Sequence, residues 1–287
     1  MHIVPVCLPA LVLTAGSFAL AQAGSGNWQK SYPVAGKTSF TLSTGDASIE
    51  VRSCGGCREV RVRVEWRDRK PADYTLTEFQ SGDHVNFEMK EKPLLGFHLF
   101  QVNWHEPHVT VETPPTLDLE ARTADGALKV SGVQGNLALH TSDGSVDVED
   151  VGGALRITAS DGSIRVHNLT GTLESHSSDG SATIDGRFTA LHVHTSDGSV
   201  DLTLNEGTQL TAASQIESSD GSVKVRVPRM LAADLEVHTS DGSIGCSLPL
   251  TMEDYNSAHN SLRGRLNGGG VPLTIRTSDG SVSLAAL

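Results

Sequence analysis

The tetrapeptide Ser-Asp-Gly-Ser recurs seven times through the second half of this 287-residue chain. With one looser copy, Ala124–Ala127, the first four steps between repeats are 18 residues long, and the next three are 23, 21 and 38. Self-similarity at a fixed short period is typical of a chain that stacks one small unit on the next. The repeated pairs are Asp125-Gly126, Asp143-Gly144, Asp161-Gly162, Asp179-Gly180, Asp197-Gly198, Asp220-Gly221, Asp241-Gly242 and Asp279-Gly280.

Each repeat also carries a period-two pattern of apolar side chains. Counted from the Asp, apolar residues fall at positions −6, −4, +3 and +5, with mostly polar residues between them. This pattern predicts two strands joined by a tight turn at Asp-Gly. Gly suits the turn through positive φ, and an Asp side chain can bond to nearby backbone amides. A second turn is predicted about halfway between the pairs, at Gly135, Gly153 and Gly171.

Two arrangements of these strands fit the pattern. In a hairpin meander each Asp-Gly reverses the chain antiparallel to its neighbour, whereas in a solenoid each unit makes one circuit and equivalent strands stack in parallel. The solenoid is favoured because equivalent positions match closely between units, which builds ladders of like side chains about 4.8 Å apart. We therefore predict an all-β fold, a β-helix-like or β-roll-like parallel β-solenoid with about 18 residues per coil, after a β-rich N-terminal region.

The composition divides the chain into three parts. Residues 1–23 read as a signal peptide, since an apolar run ends in Ala21-Gln22-Ala23, a small-x-small cleavage pattern. All three Trp precede the Thr113-Pro114-Pro115-Thr116 break, so we predict a β-rich cap or small sandwich over 24–115 and the repeat domain over 116–287.

The predicted location is secreted, periplasmic or on the cell envelope of a bacterium. A membrane anchor is the competing interpretation of the first segment, and Pro5, Pro9 and Gly16 disfavour it because they interrupt the apolar run. A formal net charge of −12 argues against nucleic acid and anionic membrane surfaces as partners. We predict no membrane span in the mature chain.

The last repeats are less regular than the first ones. The 38-residue step is close to two circuits, which predicts a degenerate coil or a protruding loop over 251–270. Because the chain ends at Leu287 soon after a repeat strand, the final coil is expected to expose an unpaired edge. Such an edge would allow end-to-end self-association.

The repeats and a late Leu-x-Gly-x-Leu-Asn-Gly-Gly-Gly-x-Pro-Leu segment, Leu262 to Leu273, carry a family resemblance. Over about residues 109–287 the chain resembles the putative adhesin family of bacterial β-strand-repeat proteins, a domain of unknown function. The resemblance implies a β-solenoid and an envelope or extracellular location. It implies no catalytic residues.

The Asp column has a structural and a metal-binding interpretation. Aspartates stacked about 4.8 Å apart repel by about 1 kcal/mol per pair in water, unless they bond to backbone or hold cations. The calcium-binding β-roll motif repeats Gly-Gly-x-Gly-x-Asp in every nine-residue half circuit and is absent here, so a turn is favoured over a calcium site. We predict no cofactor, with calcium as the alternative.

Four histidines, His140, His176, His194 and His238, stand at position −3, near the Ser and Asp of their repeats. A hydrolytic triad needs one preorganised site and not several copies, so a polar ladder on the outer surface is favoured. His105 and His108 form a weak metal motif. We predict neither a catalytic site nor a metal site.

The exported location favours a disulfide between Cys54 and Cys57, which would close a hairpin loop. A redox pair would be expected at a helix N-terminus, and these cysteines lie between strand-like stretches. Cys246 falls at position +5, the inward column, and is expected to be a buried packing thiol.

These features predict a secreted, non-enzymatic scaffold that binds an envelope or extracellular polymer or protein. Long outer faces of Ser, Thr, Asp and His suit extended partners better than small molecules. A carbohydrate-active parallel β-helix enzyme and a self-assembling envelope module are the alternatives.

Overall fold

The computed structural model describes residues 27–67, 70–93, 106–256 and 260–287. This part of the chain contains 23 strands and a short 3-10 turn at Pro71–Asp73. The strands are β1 (Asn27–Pro33), β2 (Thr38–Thr44), β3 (Ser48–Ser53), β4 (Glu59–Glu65), β5 (Tyr74–Ser81), β6 (His84–Glu91), β7 (His108–Thr113), β8 (Leu117–Arg122), β9 (Leu128–Ser131), β10 (Gln134–His140), β11 (Val146–Glu149), β12 (Gly152–Ala159), β13 (Ile164–Ser177), β14 (Ala182–Thr195), β15 (Val200–Leu204), β16 (Ser214–Ser218), β17 (Val223–Val227), β18 (Ala233–Thr239), β19 (Ile244–Cys246), β20 (Leu250–Asn256), β21 (Ser261–Leu266), β22 (Pro272–Thr277) and β23 (Val282–Ala286).

The strands form two rows. Face A runs β5–β6–β2–β8–β10–β12–β13–β14–β16–β22–β18–β21–β20, and face B runs β1–β4–β7–β3–β9–β11–β13–β14–β15–β17–β23–β19. The 14-residue strands β13 and β14 belong to both faces because they continue around a corner. Between the two faces lies one hydrophobic core.

Parallel pairing aligns equivalent residues of neighbouring repeats. On face A, Leu137 pairs with Leu155, Leu155 with Leu173, and Leu173 with Leu191, each 18 residues further along. All four side chains are buried. The apolar columns at −6, −4, +3 and +5 therefore form the core, because alternate side chains of a strand point to one face. The prediction of an all-β, solenoid-like fold is confirmed.

The region before residue 116 contributes strands to the same two faces. On face A, β2 pairs in parallel with β8, and on face B, β3 pairs in parallel with β9. Beyond them, β5 on face A and β1 and β4 on face B are antiparallel to their neighbours. The domain boundary at 115/116 stays a prediction, and the strands on both sides of it are hydrogen-bonded to each other.

Aromatic side chains close the core at this N-terminal end. The rings of Trp28 and Phe87 lie 5.2 Å apart, and those of Trp66 and Tyr74 lie 5.3 Å apart. Glu78 on β5 bonds to Tyr32 and Lys30 on β1, so it links the two faces. Large rings can cover the open end of the core, whereas Val, Ile and Leu fill its interior. This difference explains why the aromatic residues are concentrated in the N-terminal part of the chain.

At the other end the chain order and the stacking order differ. Strands β22 and β23, from the last repeat, lie between the repeat of β16 and β17 and the repeat of β18 and β19. The expectation that the last repeat exposes an unpaired edge is therefore wrong, since β23 is paired on both sides. The terminal strands at this end are β20 on face A and β19 on face B.

The stretch 251–270 is also not a degenerate coil. Strand β21 pairs antiparallel with β18, and β20 pairs antiparallel with β21, so the two strands form a hairpin that covers the end of face A. Antiparallel strands break the stacking direction of the repeats, as they also do at the N-terminal end.

The predicted signal peptide, residues 1–23, lies outside the described residues, as do Trp104 and His105. In the described part, no helix is long and apolar enough to cross a membrane.

The inserted position of the last repeat leads to a stability prediction. Ile275→Ala should cost about 2–5 kcal/mol of unfolding free energy, because Ile275 is fully buried between two repeats. Ile244→Ala, in the terminal strand β19, should cost clearly less because Ile244 is only half-buried. Urea unfolding of both variants checks this order, and a larger loss for Ile244→Ala would contradict the strand order.

Candidate functional site

The structure brings all eight Asp-Gly pairs to one edge of the stack, where each coil passes from face A to face B. Gly45, Asp46 and Ala47 make the first turn of this column, and Ala124 N–H donates to Gly45 O at 2.7 Å. From Asp125 to Asp220 the turns stack in the order in which they occur along the chain. The turn of Asp279 is next, and the turn of Asp241 is last.

The turns are joined by backbone hydrogen bonds that repeat from coil to coil. The N–H groups of Ser160 and Asp161 both donate to the carbonyl of Ser142, at 3.0 Å each. The same pair of bonds joins Ser178 and Asp179 to Ser160, at 3.1 and 2.9 Å. The turns thus form a continuous ladder, and they are structural elements of the stack.

The Gly of each pair is needed for close approach. A Cβ on Gly162 would lie 1.9 Å from the carbonyl oxygen of Gly144, and one on Gly180 would lie 2.0 Å from that of Gly162. Positive φ is not the reason, contrary to our expectation, since the positive-φ Gly residues lie elsewhere. At the opposite corner the Gly residues do adopt positive φ, for example 144° at Gly171.

A buried hydroxyl supports every turn of the column from inside except that of Asp161, which has Ala159 at position −2. At position −2, Thr141 Oγ1 donates to the carbonyl of Ala124 at 3.0 Å and accepts from the N–H of Gly144 at 3.1 Å. The buried hydroxyl residues of this column are Thr44, Thr123, Thr141, Ser177, Thr195, Ser218, Thr239 and Thr277. The apolar pattern of the repeats does not predict these buried hydroxyls, although the recurring Thr or Ser at −2 is a signal in the sequence.

The Asp carboxylates of the repeats do not bond to nearby backbone amides in the described residues, contrary to expectation. All eight Asp residues are exposed, and within the described residues no hydrogen bond or ion pair of their side chains is found. At Gly144, Gly221 and Gly242 the turn amide donates to the hydroxyl at −2 and not to the Asp side chain. The described residues also contain no converging group of three His, Cys, Asp or Glu side chains.

A groove runs along the outside of face A. It has a volume of about 540 Å³ and is lined by residues of six neighbouring strands, β2, β8, β10, β12, β13 and β14. Small residues at its floor are Ala138, Ala154, Thr172 and Ala190. The groove exists because these outward positions carry short side chains on adjacent coils.

The groove is bordered by ordered charged groups. Asp118 accepts from Lys37 Nζ at 2.5 Å and from both nitrogens of Asn136 at 3.1 Å. The hydrogen bond from Lys37 is the main reason that the pKa of Asp118 lies below its ordinary value. Further along, Arg156 and Glu174 form an ion pair at 2.7 Å. The groove therefore presents both signs of charge.

The four −3 histidines all point outward on face A. His140, His176 and His238 are exposed and His194 is partly exposed, as the ladder interpretation predicts. The rings of His176 and His194 are stacked, with centroids 4.6 Å apart. In the described residues no hydrogen bond links the His, Ser and Asp of one repeat, so the geometry of a triad is not formed. In the weak metal motif of His105 and His108, the Nε2 atom of His108 lies 3.4 Å from Oε2 of Glu50.

A family model described as Toastrack DUF4097 matches residues 22–285. The chain belongs to the Toastrack DUF4097 family. This match confirms the family resemblance drawn from the repeats. No curated protein matches the chain.

Three solved structures are similar to this Toastrack chain. A putative cell adhesion protein from Clostridium sporogenes is 11% identical over 90% of this chain and 99% of its own, with a TM-score of 0.28. A putative adhesin from Bacteroides fragilis is 11% identical over 92% and 98%, with a TM-score of 0.48. A putative adhesin from Parabacteroides merdae is 12% identical over 91% and 96%, also with a TM-score of 0.48.

Face B of the Toastrack fold carries ion pairs between coils. Arg226 bonds to Asp201 at 2.6 Å, and His167 Nδ1 lies 2.6 Å from Asp185 Oδ1. The hydrogen bond with Asp185 is the main reason that the pKa of His167 is raised. These pairs neutralise neighbouring charges on the ladder.

The cysteines occupy two environments. Cys54 and Cys57 flank the turn between β3 and β4 with their Cα atoms 5.8 Å apart, within the disulfide range, and the sulfurs are placed as a bonded pair. Their oxidation stays a prediction. Cys246 is only half-buried, contrary to expectation, because β19 is the terminal strand of face B. Burial still raises the pKa of its thiol, which makes it a poor nucleophile.

The close approach of the turns predicts a strong effect of one methyl group. Gly162→Ala should destabilise the fold by about 1–3 kcal/mol or more, because its Cβ would collide with backbone that cannot rotate away. Gly45→Ala is the matched control at the first turn of the column, where a Cβ meets nothing within 4 Å. Thermal unfolding of both variants checks the difference, and equal midpoints would contradict the stacking argument.

The His167–Asp185 pair predicts a titration behaviour. The pKa of His167, followed by NMR, should lie above its ordinary value of about 6.5, and Asp185→Asn should lower it. Because the folded-state pKa is raised, the pair stabilises the fold below the unfolded-state pKa, and this contribution disappears as the pH rises through the folded-state value. Asp143→Asn, a distant exposed carboxylate, should leave the titration unchanged. A His167 pKa that ignores Asp185→Asn would refute the pairing.

Proposed function

We propose that this protein is an exported, non-enzymatic binding scaffold of adhesin type that holds an extended surface polymer along the groove of face A. The observation that carries the proposal is the groove itself, which crosses six neighbouring strands. With strands about 4.8 Å apart, the groove is about 24 Å long. That length suits a chain-like ligand better than a small molecule.

The groove offers contacts that recur at regular intervals. Outward positions of successive coils present Asn136, Thr172 and His192 as hydrogen-bonding groups, and Ala138 and Ala154 leave room for a ligand above them. An extended polymer that crosses the coils can meet a different one of these groups on each. Many weak contacts of this kind add up along an extended ligand, provided that the ligand spans several coils.

The rigid backbone favours binding without large rearrangement. Each strand that lines the groove is paired on both sides, and the leucines beneath it, among them Leu137, Leu155 and Leu173, are buried in the core. A preformed surface avoids the entropic cost of ordering a loop on binding. The charged border supports the same role, since Asp118 and Arg156 are held by neighbours and can fix the orientation of a ligand.

The proposal is tested by titrating the full chain with envelope and extracellular polysaccharides, using isothermal calorimetry. Ala154→Arg should fill the groove and reduce the affinity at least about tenfold, which is about 1.4 kcal/mol. Thr183→Arg is the matched control, because Thr183 is exposed on face B and does not line the groove. Both variants should keep the unfolding midpoint of the parent.

Two results would contradict the proposal. Equal loss of affinity in both variants would place binding outside the groove. Release of new reducing ends from a polysaccharide, abolished by replacing a single carboxylate, would show an enzyme and overturn the non-enzymatic role.

A further inference from the structure

Three histidines and two glutamates meet on face A at the end of the groove. The strand register places Glu174 beside His192 and His176 beside His194. On the next coil, Gln215 lies beside His192. The same register places Glu217 beside His194. These six side chains form a grid of two rows and three columns, which we call the histidine grid, and they line a depression of about 420 Å³.

The spacing of the histidine grid follows from strand geometry. Neighbours on adjacent coils are about 4.8 Å apart, and residues two apart on one strand are about 6.8 Å apart on the same face. The rings of His176 and His194 are nearly parallel, at an angle of 23° with centroids 4.6 Å apart. The two imidazole rings are thus stacked face to face on the outer surface of face A.

Glu217 is positioned to orient one of these rings. Its Oε1 atom accepts a hydrogen bond from Gln215 Nε2 at 2.5 Å, and its Oε2 atom lies 3.6 Å from His194 Nδ1. When a carboxylate bonds to Nδ1–H of a histidine, the other ring nitrogen, Nε2, keeps its lone pair and can bind a metal. Gln215 holds Glu217 beside His194, from where a small rotation of the carboxylate brings it within hydrogen-bonding distance of Nδ1–H.

From this arrangement we propose that the histidine grid binds one late transition-metal ion, with zinc as the best match. His176 and His194 are the first ligands, His192 and water complete the set, and Glu217 is a positioning residue. Imidazole and carboxylate groups suit zinc, copper and nickel. Zinc binds imidazole nitrogen at about 2.0–2.1 Å in tetrahedral geometry.

The side chains must rotate to bind. Within the described residues no three such groups converge as placed, so the ion would draw the rings together. His176 and His192 are exposed and His194 is 39% exposed, hence their rotamers can change without disturbing the core. The backbone below them stays fixed by the parallel ladder.

The other histidines of the ladder lack such neighbours. His140 lies between Arg122 and Thr158, and His238 lies beside Arg276 and Ser261. An arginine next to a histidine repels a cation. The site is therefore confined to the coils of β13 and β14, which carry His176 and His194. His140 and His238, at the same position of other repeats, are the matched controls.

Titration of the tag-free full chain with zinc ions alone, by isothermal calorimetry, tests the proposal. The parent should bind one zinc ion, which a chelator removes. His194→Ala and His176→Ala should each weaken zinc binding more than Glu217→Gln does, and Glu217→Gln should weaken it about 10–100-fold. His140→Ala should bind zinc like the parent. NMR of the histidine rings should show the signals of His176 and His194 shifting first.

The unfolding midpoints of all variants should match the parent, because the replaced side chains are on the surface. The proposal is overturned if the parent binds no zinc, if His194→Ala binds it as tightly as the parent, or if His140→Ala loses as much affinity. If Ala154→Arg does not change polymer binding, the zinc result still stands, because zinc binding does not depend on the polymer.

Discussion

The stack depends on the contact between one Asp-Gly turn and the next. A Cβ added to Gly162 would lie only 1.9 Å from the carbonyl oxygen of Gly144, so neighbouring turns are as close as the backbone allows. Two amide groups share one carbonyl across every step after the first. This contact fixes the translation between coils, and the alignment of every other column follows from it. The leucine ladder, the groove and the stacked rings of His176 and His194 are consequences of that alignment.

A stack built by translation has two open ends, and this chain adds antiparallel strands at both ends of face A and at the start of face B. At the start, Trp28 and Phe87 cover the core behind antiparallel strands. At the other end, the hairpin of β20 and β21 covers face A, and the last repeat lies between two earlier ones. Face B ends with the short strand β19, where Ile244 and Cys246 remain half-buried.

The repeat pattern predicts the columns well because inward and outward positions alternate within each strand. Leu155 and Val166 are buried and His140 and His238 are exposed, as expected from their positions alone. The position of the last repeat could not be predicted, because its neighbours are separated along the chain by 38 residues or more and no local pattern encodes that contact. Likewise, a threonine at −2 looks polar in sequence, and only the stacked turn shows that Thr141 is buried and bonded on both sides.

Specific chemistry in such a stack must come from departures from the repeat. The inward columns are constrained to Val, Ile and Leu, and the second turn position to Gly, so neither can vary without loss of packing. Outward positions are free, and they differ from coil to coil. Ala138 and Ala154 are short where neighbouring positions are long, and they open the groove. Glu217 became visible as a neighbour of His194 only through the register of β14 with β16, across an irregular 23-residue step. Irregular outer positions on a regular core are therefore the places where a ligand can distinguish one coil from the next.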